Sequence, residues 1–162
     1  MNPKYGYHHK TEKAEMIRGE VNRLSFSLIL AMGYNGLVHA YIKDTSKEGV
    51  IQHDFFKFMD GLHPKLLPTA VVILDNAKIY TELVDNWFRD NDVNCFFLSL
   101  YSPDYNPIEL VFGLIKGLIK KDKYRNYRLE NAIQDTLSYV TVDHCQAFIK
   151  HAVRVWTINE PL

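Results

Sequence analysis

The sequence predicts an α/β fold. Three observations carry that expectation. Ala70 to Leu74 is a continuous apolar run that stops at Asp75-Asn76, and Val93 to Leu98 is a second such run. Between them Tyr80, Leu83, Val84, Trp87 and Phe88 recur at helical spacing. Strand, helix and strand at this length make a βαβ unit, so the strands should be parallel with a right-handed crossover. Continuous apolar runs further predict strands covered on both faces. Asp75 then stands at the carboxyl end of a buried strand, where open α/β sheets commonly bind ligands.

The elements before this unit follow in order. Met1 to Lys10 is polar and aromatic; His8 and His9 are adjacent but lack partners for a metal site. Thr11 to Asn22 is charged and reads as a surface loop or short helix. Arg23 to Met32 and Leu37 to Lys43 read as two strands, with Gly33-Tyr34-Asn35-Gly36 as a hairpin turn that exploits positive φ. His39, in the second strand, reads as packing or surface. Lys47 to Leu62 is predicted helical, with Ile51, Phe55, Phe58, Met59 and Leu62 as its core stripe. Gly61 and Pro64 mark its end.

After the βαβ unit, Tyr101 to Pro107 (YSPDYNP) is turn chemistry with two fixed proline φ angles. Asn106 suits an N-cap and Pro107 the first helical position. Ile108, Val111, Phe112, Ile115, Leu118 and Ile119 then form an apolar face. Glu109, Lys116 and Lys120 share the opposite one, at spacings of seven and four. Glu109 also sits where a capping-box glutamate would. Residues 120–128 are the most basic segment, with tyrosines between the cations. They suit either a solvated loop or phosphate contact. Two packing helices close the chain, one marked by Leu129, Ala132, Ile133, Leu137 and Val140. The other is marked by Cys145, Phe148, Ile149, Ala152, Val153 and Trp156, with Asp143 as its expected N-cap.

Bulk properties narrow the classes. The 162 residues suit a single domain over 1–162 with a real core. Formal net charge is +0, which argues against a DNA-coating protein and makes any phosphate contact local. Cys95 and Cys145 belong to no close-spaced pair, so neither a disulfide framework nor a zinc motif is expected. No apolar run is long enough to predict a membrane span, and the first residues lack the apolar core of a signal peptide. Gly-x-Ser-x-Gly and phosphate-binding glycine loops are missing, which disfavours a hydrolase of that type.

LDNA followed by YSPDYNPIE resembles the catalytic core of the mariner superfamily of DDE transposases. The similarity runs from about Tyr5 to Trp156, nearly the whole chain. The resemblance implies a ribonuclease-H-like fold, a mixed sheet of antiparallel hairpin and parallel βαβ strands flanked by helices. It implies metal-dependent DNA cleavage and strand transfer, with Mg²⁺ or Mn²⁺ as cofactor. Asp75 and Glu109, separated by 33 residues, would be the second and third catalytic carboxylates and metal ligands. Lys116 and Lys120 would be candidate DNA contacts. Expected partners are DNA and a second copy or a full-length transposase, and the expected location is the nucleus, with the cytoplasm as the alternative.

The sequence departs from the family pattern in three places. Tyr80 stands where the family often has His, and Ser99-Leu100 where it often has two prolines. The family's first Asp lies on a first strand upstream of Tyr5-Gly6-Tyr7, so the catalytic domain is expected to be incomplete at its N-terminus. Asp44, Asp54 and Asp60 lie in the wrong elements to replace that Asp. The absent strand would be central, leaving two sub-sheets with exposed edges. Three arrangements could cover them: direct pairing of the hairpin with the Ala70 strand, filling by the N-terminal residues, or a strand from another chain. The rival to an enzyme is a non-catalytic remnant that binds DNA or a transposase.

Overall fold

A computed structural model describes residues 25–75, 82–99 and 102–159. The readings of His8-His9, Tyr5-Gly6-Tyr7, the 11–22 segment, Asn76, Tyr80 and Leu100-Tyr101 fall outside these residues. The hairpin forms as expected. Strand β1 (Phe26–Gly33) pairs antiparallel with β2 (Gly36–Asp44). Gly36 closes the turn at φ +120, a conformation costly for any residue with a Cβ. The register shifts between Ala31 and Met32, so that Ala31 faces His39 and Met32 faces Leu37, leaving Val38 as the extra residue of a bulge.

Helix α1 spans Gln52–Leu62, five residues shorter at its start than the periodicity predicts. Asp54 sets that start. Its carboxylate accepts the Ile51 N–H at 2.9 Å and the Lys43 ammonium at 2.5 Å. Lys43 also donates to the Gly49 carbonyl at 2.8 Å, which holds 47–50 as a loop. At the other end Gly61 is needed for space. A Cβ there would lie 2.5 Å from His39 Nε2, and the His39 ring stacks on Phe58 at 5.2 Å. His39 is therefore a packing residue. A turn of 3-10 helix, His63–Lys65, follows.

Strand β3 (Val71–Leu74) pairs in parallel with β4 (Asn94–Phe97), and α2 (Glu82–Asp90) lies between them in sequence. The expectation that these strands are covered on both faces is corrected here. Val72 and Leu74 on β3, and Cys95 and Phe97 on β4, pack in a core with Phe55, Phe58, Met59, Leu62, Val84 and Phe88. The alternate residues Val71, Ile73 and Phe96 remain more than half exposed. The reason is topological: α1 and α2 supply a cover for one face only.

Helices α3 (Ile108–Ile119), α4 (Leu129–Leu137) and α5 (Val142–Asn159) complete the chain. Val111, Ile115, Val140 and Cys145 form a second core, on which Leu28, Leu30, Met32 and Leu37 of the hairpin pack. Thr141, not Asp143, caps α5. Its hydroxyl accepts the His144 N–H at 3.3 Å while His144 Nδ1 accepts the Thr141 N–H at 3.2 Å. Within the basic segment Lys123 contacts Asp135 and the Tyr139 hydroxyl, and Tyr124 is buried with its hydroxyl on Asp135. That part of the segment is structural.

Among the described residues the strands form two separate two-stranded sheets, β1-β2 and β3-β4. The hairpin does not pair directly with β3. No helix among them is long and apolar enough to cross a membrane.

Asp54 provides a test of the α1 start. Burial pushes its carboxyl up, but the bonds from Lys43, Ile51 and Tyr41 outweigh it and hold it below its ordinary 3.8. A carboxyl depressed in the folded state stabilises above its unfolded value, and that stability is lost as pH falls through the folded one. We expect Asp54→Asn to cost about 2 kcal/mol at neutral pH, the scale of hydrogen bonds to a charged group. Urea denaturation should show its penalty shrinking as pH falls below 3.8. A penalty independent of pH would contradict this account.

Candidate functional site

Asp75 follows directly on β3, and its backbone position is set by the parallel ladder. The Leu98 N–H donates to the Leu74 carbonyl at 2.8 Å, carrying the pairing one step past β4. Ser99 therefore emerges beside Asp75. Glu109 comes from the other core. Asn106 is extended (φ −102, ψ 103) and Pro107 is helical (φ −62, ψ −19). The Asn106 side-chain oxygen accepts the Ile108 N–H at 3.2 Å, and its carbonyl accepts the Glu109 N–H at 3.1 Å. The helix starts one residue later than expected, at Ile108 with Pro107 at the cap, yet Asn106 still accepts its first amide and Glu109 is fixed in the first turn.

The preceding turn, a 3-10 stretch at Pro103–Tyr105, is tied to α5. Trp156 Nε1 donates to the Tyr105 carbonyl at 3.2 Å, and the two rings meet edge-on at 6.3 Å. A donor and a ring from a distant helix thus hold the loop that aims α3.

Asp75 and Glu109 line one cleft of about 190 Å³, together with Leu98, Ser99, Ser102, Pro103 and Asn106. Both carboxylate residues are exposed. The structure thus brings together the two acidic residues singled out by sequence and keeps both open to solvent. Ser99 and Ser102 are additions. Ser99 reads from sequence only as a departure from the family's two prolines, yet it lines the cleft. Its place immediately after an apolar strand that runs parallel to the Asp75 strand was the available signal.

Lys116 is exposed on α3 and Lys120 is exposed at its C-cap. At 1.5 Å per residue they lie about 10 and 16 Å along the helix axis from Glu109, beyond the cleft itself.

The donor set is chemically suited to a hard divalent cation: two carboxylates with hydroxyl oxygens nearby. Among the described residues no group of three or more His, Cys, Asp or Glu could hold a metal ion. Among the described residues the cleft offers two acidic donors, Asp75 and Glu109.

A family profile described as DDE superfamily endonuclease matches residues 1–129. The chain belongs to the DDE superfamily endonuclease family. The match includes both Asp75 and Glu109 and agrees with the resemblance borne by LDNA and YSPDYNPIE. Endonucleases of this superfamily depend on divalent metals. The crystal structure of the Mos1 strand transfer complex is similar to this DDE domain, with a TM-score of 0.67 at 14% identity. The similarity covers 95% of this chain and 48% of that one, so the DDE domain spans about half the length of the solved chain it matches. The shared fold is the mixed α/β, ribonuclease-H-like arrangement expected from sequence. No curated protein matches.

Trp156→Phe would test how the loop is held. It deletes the donor to Tyr105 and retains most of the ring, so a loss of about 1 kcal/mol is expected. Hydrogen exchange should accelerate at the Asn106 and Glu109 amides. Unchanged exchange there would show that the turn is held by other contacts.

Proposed function

We propose that this chain serves metal-dependent DNA strand cleavage and strand transfer, as the catalytic portion of a mariner-type transposase. The observation that supports this reading best is the shared cleft of Asp75 and Glu109, reached from opposite cores of the molecule. Asp75 and Glu109 would be the ligands for Mg²⁺ or Mn²⁺. When bound, such ions polarise a phosphoryl oxygen and activate the attacking water or 3′ hydroxyl. The chain's own part is to hold the two carboxylates on a strand end and a helix start, both anchored by backbone hydrogen bonds. The Ser99 and Ser102 hydroxyls stand beside them as further oxygen donors. DNA would reach the cleft across α3, where Lys116 and Lys120 contact phosphates.

Calorimetric titration with Mn²⁺ tests the site. Saturable binding should weaken at least about tenfold in Asp75→Ala and in Glu109→Ala, about 1.4 kcal/mol or more. Equal affinity in all three proteins would remove the metal-site reading. The two acidic donors among the described residues would hold a metal pair poorly, so the protein alone should nick supercoiled plasmid only weakly in Mg²⁺. Robust nicking abolished by Asp75→Ala would overturn that expectation of weakness while supporting the chemistry.

The two carboxylates found in the cleft among the described residues favour one alternative, a non-catalytic module that binds DNA, a second copy or a full-length transposase. In that case Asp75→Ala would leave DNA affinity and partner binding unchanged, and metal would make no difference. Fluorescence anisotropy across a salt series tests the lysines. Lys116→Ala and Lys120→Ala should each reduce the slope of log affinity on log salt by about 1. An unchanged slope would take them out of the DNA path.

A further inference from the structure

The basic segment that follows α3 is held from beneath. The Lys121 N–H donates to the Leu118 carbonyl at 3.0 Å, the Tyr124 N–H to Lys121 at 3.0 Å and the Tyr127 N–H to Tyr124 at 3.1 Å, so successive turns fix its backbone. Buried Tyr124 places its hydroxyl on Asp135 of α4. Lys123 bonds Asp135 and the Tyr139 hydroxyl, and lies over the Tyr124 and Tyr139 rings at 4.4 and 4.3 Å. These contacts engage Lys123, Tyr124 and Asp135, and leave a different set facing outward. Lys120, Lys121, Arg125 and Arg128 are exposed, and among the described residues none of their side chains has a hydrogen bond or ion pair. They outnumber the exposed carboxylates of the same stretch, Asp122 and Glu130. Tyr127 stands among them 55% exposed, its ring set edge-on to Tyr124 at 5.4 Å.

We propose that this platform, residues 120–128, binds a single strand of nucleic acid, with the four cations on its phosphates and Tyr127 stacked on an unpaired base. The proposal rests on the reading that this chain handles DNA, and adds where an unpaired stretch is held. The phosphate part follows from charge. A chain of zero net charge gathers four unpaired cations into nine residues, a local match for a polyanion. The base part follows from Tyr127. Inside a duplex the base faces are covered by neighbouring pairs, so an exposed ring finds one to stack on only where the strand is unpaired. Tyr124 already orients that ring, so stacking orders little that is not ordered beforehand.

The platform lies at the far end of α3 from the acidic cleft. Lys120 is about 16 Å along the helix axis from Glu109, and duplex nucleotides advance about 3.4 Å each. A strand running from the cleft along α3 thus reaches the platform after about five nucleotides, passing Lys116 on the way. The unpaired stretch is then beside the carboxylates rather than at them. An acidic peptide is the rival partner: it would satisfy the cations and leave Tyr127 unused.

Fluorescence anisotropy without divalent metal tests this. The probes are a labelled single strand of about twelve nucleotides and the matching blunt duplex, with a poly-glutamate peptide of equal charge as competitor. Arg125→Ala combined with Arg128→Ala should weaken the single strand at least about tenfold. It should also lower the slope of log affinity on log salt by about 1.4. Tyr127→Ala should weaken the single strand at least about fivefold and leave the blunt duplex within about twofold. Tyr127→Phe keeps the ring and should bind like the parent protein. A strand of the same length without bases should be insensitive to Tyr127→Ala. Unchanged single-strand affinity in Tyr127→Ala, equal losses on strand and duplex, or equal competition by poly-glutamate would overturn the proposal. If Lys116→Ala weakens duplex binding while the arginine pair changes nothing, the path along α3 stands and the platform falls. No metal is present, so the outcome is read separately from that of the carboxylate site.

Discussion

The alternation of side chains along β1 is the constraint on which the molecule rests. Ile29 and Ala31 point into the core built by α1, α2 and the parallel strands. Leu28, Leu30 and Met32 point into the core built by α3, α4 and α5. One strand therefore belongs to both cores and holds them together. A slip of one residue in its pairing would exchange the two sets. The register is secured by the turn at Gly36 and by the bulge opposite Ala31 and Met32. Lys43 then reaches from β2 to Asp54 and Gly49, so the hairpin also decides where α1 begins.

The acidic cleft inherits this arrangement. Asp75 follows Leu74, a member of the first core, and Glu109 precedes Val111, a member of the second. Neither carboxylate is near the other in sequence, and their meeting depends on how the cores are joined through β1. Trp156 adds a second tie, from α5 to the turn before α3. The Trp156 tie acts on a backbone carbonyl, which is a means by which a loop can present a side chain at a defined place.

A groove of about 560 Å³ between the two sheets and the acidic cleft are parts of one architectural feature. Asp75, Asn106 and Glu109 line both, so the space between the sheets opens at one end onto the carboxylates. Strand β1, which joins the two cores, thus borders the same space that opens onto the acidic residues.

Much of this was written in local pattern. The turn glycines announced the hairpin, the stripe from Phe55 to Leu62 announced α1, and Asn106-Pro107 announced the start of α3 with Glu109 in its first turn. Such features depend on dihedral preference and side-chain period, which are properties of neighbouring residues. The motif pair around Asp75 and Glu109 named the family before any geometry was known. Other features were decided only by tertiary structure. Val71, Ile73 and Phe96 are apolar and read as buried, but burial depends on which helices arrive at that face, and none of those described does. Asp54 shortens α1 because Lys43, eleven residues earlier, reaches it across the hairpin. Ser99 enters the cleft because β4 lies parallel to β3. The sequence by itself determined the elements and their chemistry; contacts between distant segments decided which surfaces are covered and which groups meet.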